Sequence, residues 1–486
     1  VKLPLSGLVT MSIMRIVLLA SLVCACDAQL FELEDFKVPE RKSLSLIYAF
    51  FLSAPGTTPN KTKTLPFVVF KNLKATSKSG SQTDAQLAGY AGLQLHLIRY
   101  EDMWKLVDTG KMCATAEDVT RGDSDAVDHL IVHKVPGQSS NNVYGYQVNI
   151  GQESAPQKMT MLQHGVYFLV FSNCGSFDQA VISGQVVVKN SHGYLPANEY
   201  GKMPFYAIMT AVTVVVFLIW SLICIRWWKV LFNIHLSIGS LCFVAILESI
   251  AWFVYLFSWN EGGAESVALF SISIFLSVSR NTLSYMLILS ACLGWGVTKP
   301  LLDGGTICRM VSLSVVYISL NVVREVVLAD RHTQSVPVPF VILCLLPVSC
   351  MNGGIFYWIF AALSNLMETL EAQGQSAKLG LFQKLWWVLV LAIAFAFVVL
   401  LAQIFIIAND SSSWQYQWLV TDFAPQAGFL FVLLCVMYLW CPNEDTQRFA
   451  YSAQLEGEND ELGGVEKAEV ISGDENDVDV IGASRR

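Results

Sequence analysis

Seven long apolar stretches occupy the second half of the chain. They lie at 207–225, 231–257, 267–293, 307–328, 336–362, 385–408 and 419–440. A membrane-spanning helix needs about 20 apolar residues, and each stretch reaches that length. Backbone groups left unpaired in hydrocarbon are costly, so the stretches are expected to be helical. The pattern predicts a polytopic membrane protein with an all-α seven-helix bundle over residues 201–442.

A different pattern fills residues 29–200. Short apolar runs rich in β-branched and aromatic residues alternate with clusters of Gly, Pro, Asn and Ser. Runs of this length and spacing predict an antiparallel all-β sandwich. The predicted strands are 46–51, 67–70, 93–100, 130–135, 143–150, 167–171 and 181–188.

The two ends of the chain differ from both patterns. Arg15 precedes an apolar run, and small residues near Ala28 suit cleavage after that position. Residues 1–28 are therefore expected to be a secretory signal with some upstream sequence. An eighth span is disfavoured because the run is too short. Residues 443–486 are acidic and poor in aromatic residues, which predicts a disordered cytosolic tail.

Basic residues predict the sidedness of the bundle, because Lys and Arg favour cytosolic loops. The connections after spans one, three and five contain Arg226, Lys229, Lys299, Arg309, Lys378 and Lys384. The connections after spans two, four and six contain only Arg331. Asn60 and Asn409 begin glycosylation sequons, and both fall on the side opposite the basic residues. The sequence thus predicts a luminal N-terminus and a cytosolic C-terminus.

Composition narrows the function classes. Hydrophobic residues make up 54% of the chain, and the net charge of −8 argues against a nucleic-acid partner, which would need a basic surface. The sequence contains no His-Glu-x-x-His, Gly-x-Ser-x-Gly, phosphate-binding Gly-rich loop or Cys-x-x-Cys motif. We therefore expect no enzymatic activity, no catalytic residue, no cofactor and no metal site.

Two cysteines, Cys113 and Cys174, lie between the signal and the first span. In an oxidising compartment a disulfide between them is the default expectation, and two unpaired buried thiols are the alternative. Cys441, at the end of the last span, is a candidate for acylation.

Ionisable residues inside the spans are candidates for function, because an unpaired charge in the membrane costs several kcal/mol. Five such residues are Glu248, Arg280, Arg324, Glu325 and Asp422. Each either lines a polar cavity or forms a structural ion pair or a water-exposed span end. The sequence favours the second alternative for the last three, which lie near the interface. It favours neither for Glu248 and Arg280, which lie well inside long spans.

Several stretches resemble the lung seven-transmembrane receptor family, also called GOLD-domain seven-transmembrane proteins, and within it the transmembrane protein 87 branch. They are Gly165–Cys174, Gly184–Asn190, Gly193–Pro196, Pro204–Tyr206, Arg280–Leu289, Leu293–Pro300 and Tyr438–Ser452. The resemblance implies a luminal GOLD-like sandwich, Golgi or endosomal residence and a bundle similar to that of Wntless. It also implies a polar cavity at Glu248, Arg280 and Asp422. One position departs from the family, since Cys441 stands where the family has Arg.

Taken with these observations, the resemblance implies a Golgi membrane protein that acts in endosome-to-Golgi retrieval or cargo handling. The expected partners are membrane lipid, a luminal protein or glycan cargo and cytosolic sorting machinery, with a phospholipid held in the bundle. A Golgi cation channel or regulator of a cation conductance is one alternative. An orphan seven-transmembrane receptor is another, although Asp330-Arg331-His332 lies on the luminal side, the wrong side for G-protein coupling.

Overall fold

The computed structural model describes most of the N-terminal domain's strands and nearly all of the bundle. The described residues are 30–37, 43–53, 65–77, 93–100, 103, 113–121, 127, 143–147, 156–161, 163–174, 180–295, 302–333, 338–408 and 413–442. The predicted signal (1–28), tail (443–486) and strand at 130–135, and the sequons at Asn60 and Asn409, lie outside them.

In the described part of the N-terminal domain, eight antiparallel strands form two four-stranded sheets. The strands are β1 (Leu30–Lys37), β2 (Ser43–Leu52), β3 (Phe67–Ser77), β4 (Leu93–Arg99), β5 (Val143–Gln147), β6 (Gln157–Thr160), β7 (Gly165–Asn173) and β8 (Ala180–Lys189). The strand order is β1-β8-β3-β6 in the first sheet and β2-β7-β4-β5 in the second. The predicted all-β sandwich is confirmed. The sequence missed β1 and β6, which are edge strands with charged or polar residues at alternate positions.

Alternation along the strands builds the core between the sheets. Buried residues at every second position point inward, as in Leu93, Leu95 and Leu97 of β4 and Val186 and Val188 of β8. Facing strands contribute Phe50, Val68, Phe70, Tyr167, Leu169 and Phe171 to the same cluster. Beside β8, the neighbouring strand β3 bulges, and Asn72 there adopts a φ of 52°. Leu73 packs over Gly184, where a side chain would leave no room for it.

A disulfide joins Cys113 to Cys174, with an S–S distance of 2.09 Å, so the predicted pairing is confirmed. Cys174 directly follows β7, and Cys113 precedes the short helix α1 (Ala116–Arg121). Asp118 fixes the start of α1 by accepting bonds from the Thr115 amide (2.8 Å) and hydroxyl (2.6 Å). The disulfide therefore ties α1 to the end of a central strand.

Among the described residues, seven helical segments are long and apolar enough to cross a membrane. The first six lie within α2 (Lys202–Arg226), α3 (Asn233–Gly262), α4 (Val267–Cys292), α5 (Gly304–Thr333), α6 (Val338–Ala372) and α7 (Ser376–Ala408). The seventh segment, Trp414–Leu439, ends with α8 (Ala424–Leu439). The predicted seven-helix bundle is confirmed. A π-helical turn, Leu419–Phe423, precedes α8 within the seventh span, and α6 continues past the predicted end at residue 362.

The helices pack mostly in sequence order. The pair α3 and α4 forms the centre, since α3 packs on α2 and α4, and α4 also packs on α5 and α6. Helix α7 packs on α6 and α8 and is exposed along most of its length, as an apolar surface facing lipid would be. The arrangement buries the middle of α3 and α4, where the charged candidates lie.

Candidate functional site

Two of the predicted charged residues meet at the centre of the bundle. Glu248 lies near the middle of α3 and is 1% exposed, and Arg280 lies near the middle of α4 and is 6% exposed. The Arg280 Nη1 atom lies 2.8 Å from the Glu248 Oε2 atom. The two charges therefore form a direct ion pair at a depth where either charge alone would be costly.

Glu248 accepts two further hydrogen bonds through its other oxygen. Ser277 Oγ donates to Glu248 Oε1 at 2.7 Å, and Gln426 Nε2 donates to the same atom at 3.2 Å. Ser277 in turn accepts a bond of 2.9 Å from the Trp252 indole. The carboxylate of α3 is thus held by residues of two other helices, α4 and α8.

Arg280 has a partner at each of its nitrogens. Nη1 also donates to Gln426 Oε1, while Nε and Nη2 donate to Asn281 Oδ1 at 3.3 and 2.8 Å. The guanidinium carbon lies 4.6 Å from the centre of the Phe429 ring, a cation–π distance. We call Glu248, Arg280, Gln426, Ser277, Asn281 and Trp252 the buried polar cluster.

Asp422 belongs to a second group, closer to the sandwich. Its Oδ2 lies 3.1 Å from the Lys202 Nζ, which also lies 2.6 Å from Glu199 Oε2. Its Oδ1 accepts a 3.4 Å bond from the Tyr206 hydroxyl. Lys202 and Asp422 are 18% and 17% exposed, so water screens this pair more than the central one. We call Glu199, Lys202, Tyr206 and Asp422 the Lys202 cluster.

An aromatic stack connects the two clusters. The rings of Tyr206 and Trp252 are stacked, with centroids 5.8 Å apart. Tyr206 bonds to Asp422 on one side, and Trp252 bonds through Ser277 to Glu248 on the other. A continuous line of polar and aromatic contacts therefore runs from the sandwich end of the bundle to its centre.

Comparison with known proteins identifies the bundle. A family model described as GOST, seven transmembrane domain, matches residues 201–447, which is just over half of the chain. The chain belongs to the GOST seven-transmembrane family.

Within the GOST family, the chain resembles transmembrane protein 87. It is 26% identical over 333 residues to transmembrane protein 87A of Xenopus tropicalis, covering 68% of this chain and 60% of the relative. It is 27% identical over 279 residues to transmembrane protein 87B of Mus musculus, covering 56% and 48%. Membrane protein PTM1 of Saccharomyces cerevisiae is 22% identical over 302 residues, covering 60% and 57%. These alignments span about half to three-fifths of the length of the relatives, and they confirm the family resemblance.

The structure places the other candidate charges of this GOST protein elsewhere. Arg324 is half-buried on α5 and is not among the ion-pair or hydrogen-bond partners of Glu248 or Arg280. Glu325 lies on the same helix, and its side chain lies outside the described residues. Cys441 is exposed just beyond α8. Among the described residues, no group of three or more His, Cys, Asp or Glu side chains is placed to hold a metal ion.

Sequence reasoning missed the uncharged members of the buried polar cluster. Gln426 follows Asp422 by four residues, a helical spacing that places the two on one face and is the one sequence signal for Gln426. Asn281 directly follows Arg280, and Ser277 precedes it by three residues. Neutral polar side chains within a span are weak sequence signals, because burying them in the membrane costs less free energy than burying a charge.

Proposed function

We propose that this GOST protein acts in membrane trafficking at the Golgi and endosomes, without enzymatic activity. In this proposal the sandwich lies in the lumen and recognises a protein or glycan cargo. The bundle accommodates a lipid-like guest, and the cytosolic segments engage sorting machinery.

The main support is the contrast between the centre of the bundle and its outer helix. The charges of Glu248 and Arg280 are matched by one another and by neighbouring side chains, which leaves little capacity for a charged substrate. Helix α7 instead presents large exposed apolar residues along the bilayer depth, such as Leu391, Phe397 and Phe405. A surface of this kind favours lipid contact over reaction chemistry.

The sandwich supports recognition because its two-sheet architecture presents loops and strand edges. The luminal placement rests on the basic residues and the sequons rather than on the fold. Golgi residence rests on the family resemblance.

Depletion of the protein tests the trafficking proposal. Cells lacking it are expected to retrieve a recycling transmembrane cargo from endosomes to the Golgi more slowly, and the full chain should restore the rate. Normal retrieval in the depleted cells would contradict the proposal. Lipid extraction from the purified protein, followed by mass spectrometry, tests the guest separately, with a detergent-washed helical membrane protein of similar size as the control.

A cation conductance is the second candidate, and the line of contacts from Asp422 to Glu248 favours it. Two acidic residues along one path supply a negative field of the kind that attracts cations. Arg280 and Lys202 oppose that field, because each lies within 3.1 Å of one of the carboxylates. For this reason we rank the conductance below trafficking.

Reconstitution into liposomes tests the conductance. A channel should pass a cation current that falls in a Glu248→Gln, Asp422→Asn variant, whereas equal currents in the two proteins would exclude these residues as the path. The trafficking assay and the current assay are independent, so either function can fail without the other.

A further inference from the structure

The loop between the last strand and the first spanning helix is fastened to the sandwich. We call residues 190–196 the junction loop. Asn190 holds its start, since Oδ1 accepts a bond from the Ser53 amide (3.0 Å) and Nδ2 donates to the Leu195 carbonyl (2.9 Å). The same Nδ2 lies 3.4 Å from the Phe51 carbonyl of β2. The junction loop therefore belongs structurally to the sandwich.

One residue of α3 binds this loop from the bundle side. Asn260, two residues before the end of α3, is 5% exposed. Its Nδ2 donates to the His192 carbonyl at 3.0 Å, and its Oδ1 accepts from the Leu195 amide at 3.3 Å. Its backbone carbonyl accepts a third bond, of 2.9 Å, from the Tyr194 amide. Three hydrogen bonds from one residue to the junction loop leave that loop little freedom to move relative to α3.

Two glycines allow the junction loop to approach α3 closely. Gly193 has a φ of 144°, and a methyl group there would overlap the Asn260 amide. Gly263, which ends α3 with a φ of 76°, lies so near the Tyr194 ring that a methyl group would meet it at 3.1 Å. The backbones of the junction loop and of α3 are therefore in direct contact.

Helix α3 also carries Glu248, twelve residues before Asn260. A helix rises about 1.5 Å per residue, so the two side chains are separated by roughly 18 Å along one stiff element. Glu248 binds Arg280 of α4, so a displacement of α3 acts on the central ion pair. Helix α3 thus carries both the residue that binds the junction loop, Asn260, and a residue of the central ion pair, Glu248.

We propose that Asn260 couples the sandwich to α3, so that loosening or strain in the sandwich reaches the Glu248–Arg280 pair through this helix. A sandwich attached only through its chain connection would transmit no such change. The proposal holds whether the bundle carries a lipid-like guest or a cation, and so does not depend on the proposed function.

Two native thiols report on the coupling. Cys242 on α3 and Cys292 on α4 are both 0% exposed, so they react with a thiol reagent only when their helices open. The full chain in lipid nanodiscs would be treated with a membrane-permeant maleimide, and the labelling rate at each cysteine read by mass spectrometry. Resolution by peptide removes the need to replace the exposed cysteines.

The sandwich is perturbed by Val188→Ala, which removes two methyl groups from a fully buried core position of β8. Coupling predicts that Val188→Ala raises labelling of Cys242 and Cys292 at least threefold. It predicts that Asn260→Ala raises labelling by itself, and that adding Val188→Ala to Asn260→Ala then has no further effect. The non-additivity is the signature of one shared connection.

Ser191→Ala is the matched control. It removes a junction-loop bond, from Ser191 Oγ to the Ser53 carbonyl (3.2 Å), that does not involve α3. Labelling of both thiols should stay at the wild-type rate. If Asn260→Ala fails to fold, Gly193→Ala disrupts the same contact from the loop side, and Asn260→Asp keeps the acceptor while losing the donor.

The outcomes are distinct. Faster proteolysis of the sandwich would show that Val188→Ala loosens it. Unchanged labelling of Cys242 and Cys292 in that variant would then contradict the coupling. Equal effects of Val188→Ala with and without the Asn260 side chain would place the connection elsewhere. A response at Cys242 without one at Cys292 would end the connection at α3 and overturn transmission to the ion pair.

Discussion

At the residue scale, the central question is what the Glu248–Arg280 pair contributes. Both side chains are almost fully buried, and each has additional hydrogen bonds that satisfy its remaining polar atoms. A buried pair of this kind is not strongly stabilising relative to an apolar core, but removal of one partner leaves a charge without compensation. Single and paired substitutions should therefore behave very differently.

Glu248→Gln should destabilise the bundle by about 3–5 kcal/mol, because it leaves the Arg280 guanidinium buried without its counter-charge. The measurement is thermal unfolding in nanodiscs, followed by maleimide labelling of the buried Cys242 and Cys292 that is read peptide by peptide in a mass spectrometer. Asp422→Asn is the matched control, since it neutralises a carboxylate paired with Lys202 at a partly exposed site. Its cost should be about 0–1 kcal/mol, and equal losses in the two variants would contradict the argument.

The double variant Glu248→Gln, Arg280→Gln should be more stable than Glu248→Gln alone. Neither charge remains to be buried, and two amides can still exchange hydrogen bonds with Gln426 and Ser277. The same thermal assay measures Glu248→Gln, Arg280→Gln and the double variant in one double-mutant cycle. A double variant whose loss equals the sum of the single losses would show that the two residues act independently.

At the element scale, two helix ends show how the same backbone conformation behaves in different surroundings. Both α3 and α6 are followed by a glycine in the left-handed region: Gly263, directly after α3, has a φ of 76°, and Gly374, two residues after α6, has a φ of 69°. This is a common way for helices to end, because glycine adopts the conformation without steric cost. The two sites differ only in their surroundings, which makes them a matched pair.

Gly374→Ala should cost roughly 1–2 kcal/mol from backbone strain alone, since a methyl group there would meet nothing within 4 Å. Gly263→Ala should cost more, because its methyl group would also press on the Tyr194 ring at 3.1 Å. Thermal midpoints of the two variants measure the difference. Indistinguishable midpoints would mean that the Tyr194 ring moves aside freely.

Hydrophobic patterning was sufficient for most elements, because a span or a buried strand must be apolar over a defined length. The seven spans and six of the predicted strands follow from that rule. The π-helical turn before α8 was not foreseen, since a single π-helical turn inside a helical span does not change the hydrophobic pattern. The sequence found Glu248 and Arg280 by their charge, whereas the contact between them depends on how α3 and α4 rotate against each other. Asn260 carries no charge and gave no signal at all.

At the scale of the whole molecule, contacts between the sandwich and the bundle among the described residues include two that fix their relative placement. Asn260 binds the junction loop, and the ring of Trp414, between α7 and α8, packs against Phe51 of β2 with centroids 5.2 Å apart. Both contacts lie at the same end of the bundle. The connections after the second and sixth spans therefore lie on the side of the sandwich, as even-numbered connections must when the sandwich precedes the first span.

Both sequons should be glycosylated if that side is luminal. Endoglycosidase treatment should increase the electrophoretic mobility of the wild type in two steps, and Asn60→Gln and Asn409→Gln should each remove one step. Protease added outside sealed vesicles should leave the sandwich intact. Cleavage of the sandwich under those conditions, with both asparagines unmodified, would reverse the predicted sidedness.

The outer helix has a consequence for how the protein senses its membrane. From Val388, just after the exposed Trp387, to Ala408, α7 runs for roughly 31 Å, close to the hydrocarbon thickness of about 30 Å. A bilayer of another thickness creates hydrophobic mismatch, which a helix relieves by tilting. Tilting of α7 would pull on the bond from Gln403 Nε2 to the Val420 carbonyl (3.2 Å) in the π-helical turn, two residues from Asp422. A change in bilayer thickness would then alter the position of Asp422 relative to Lys202 before it alters the central ion pair.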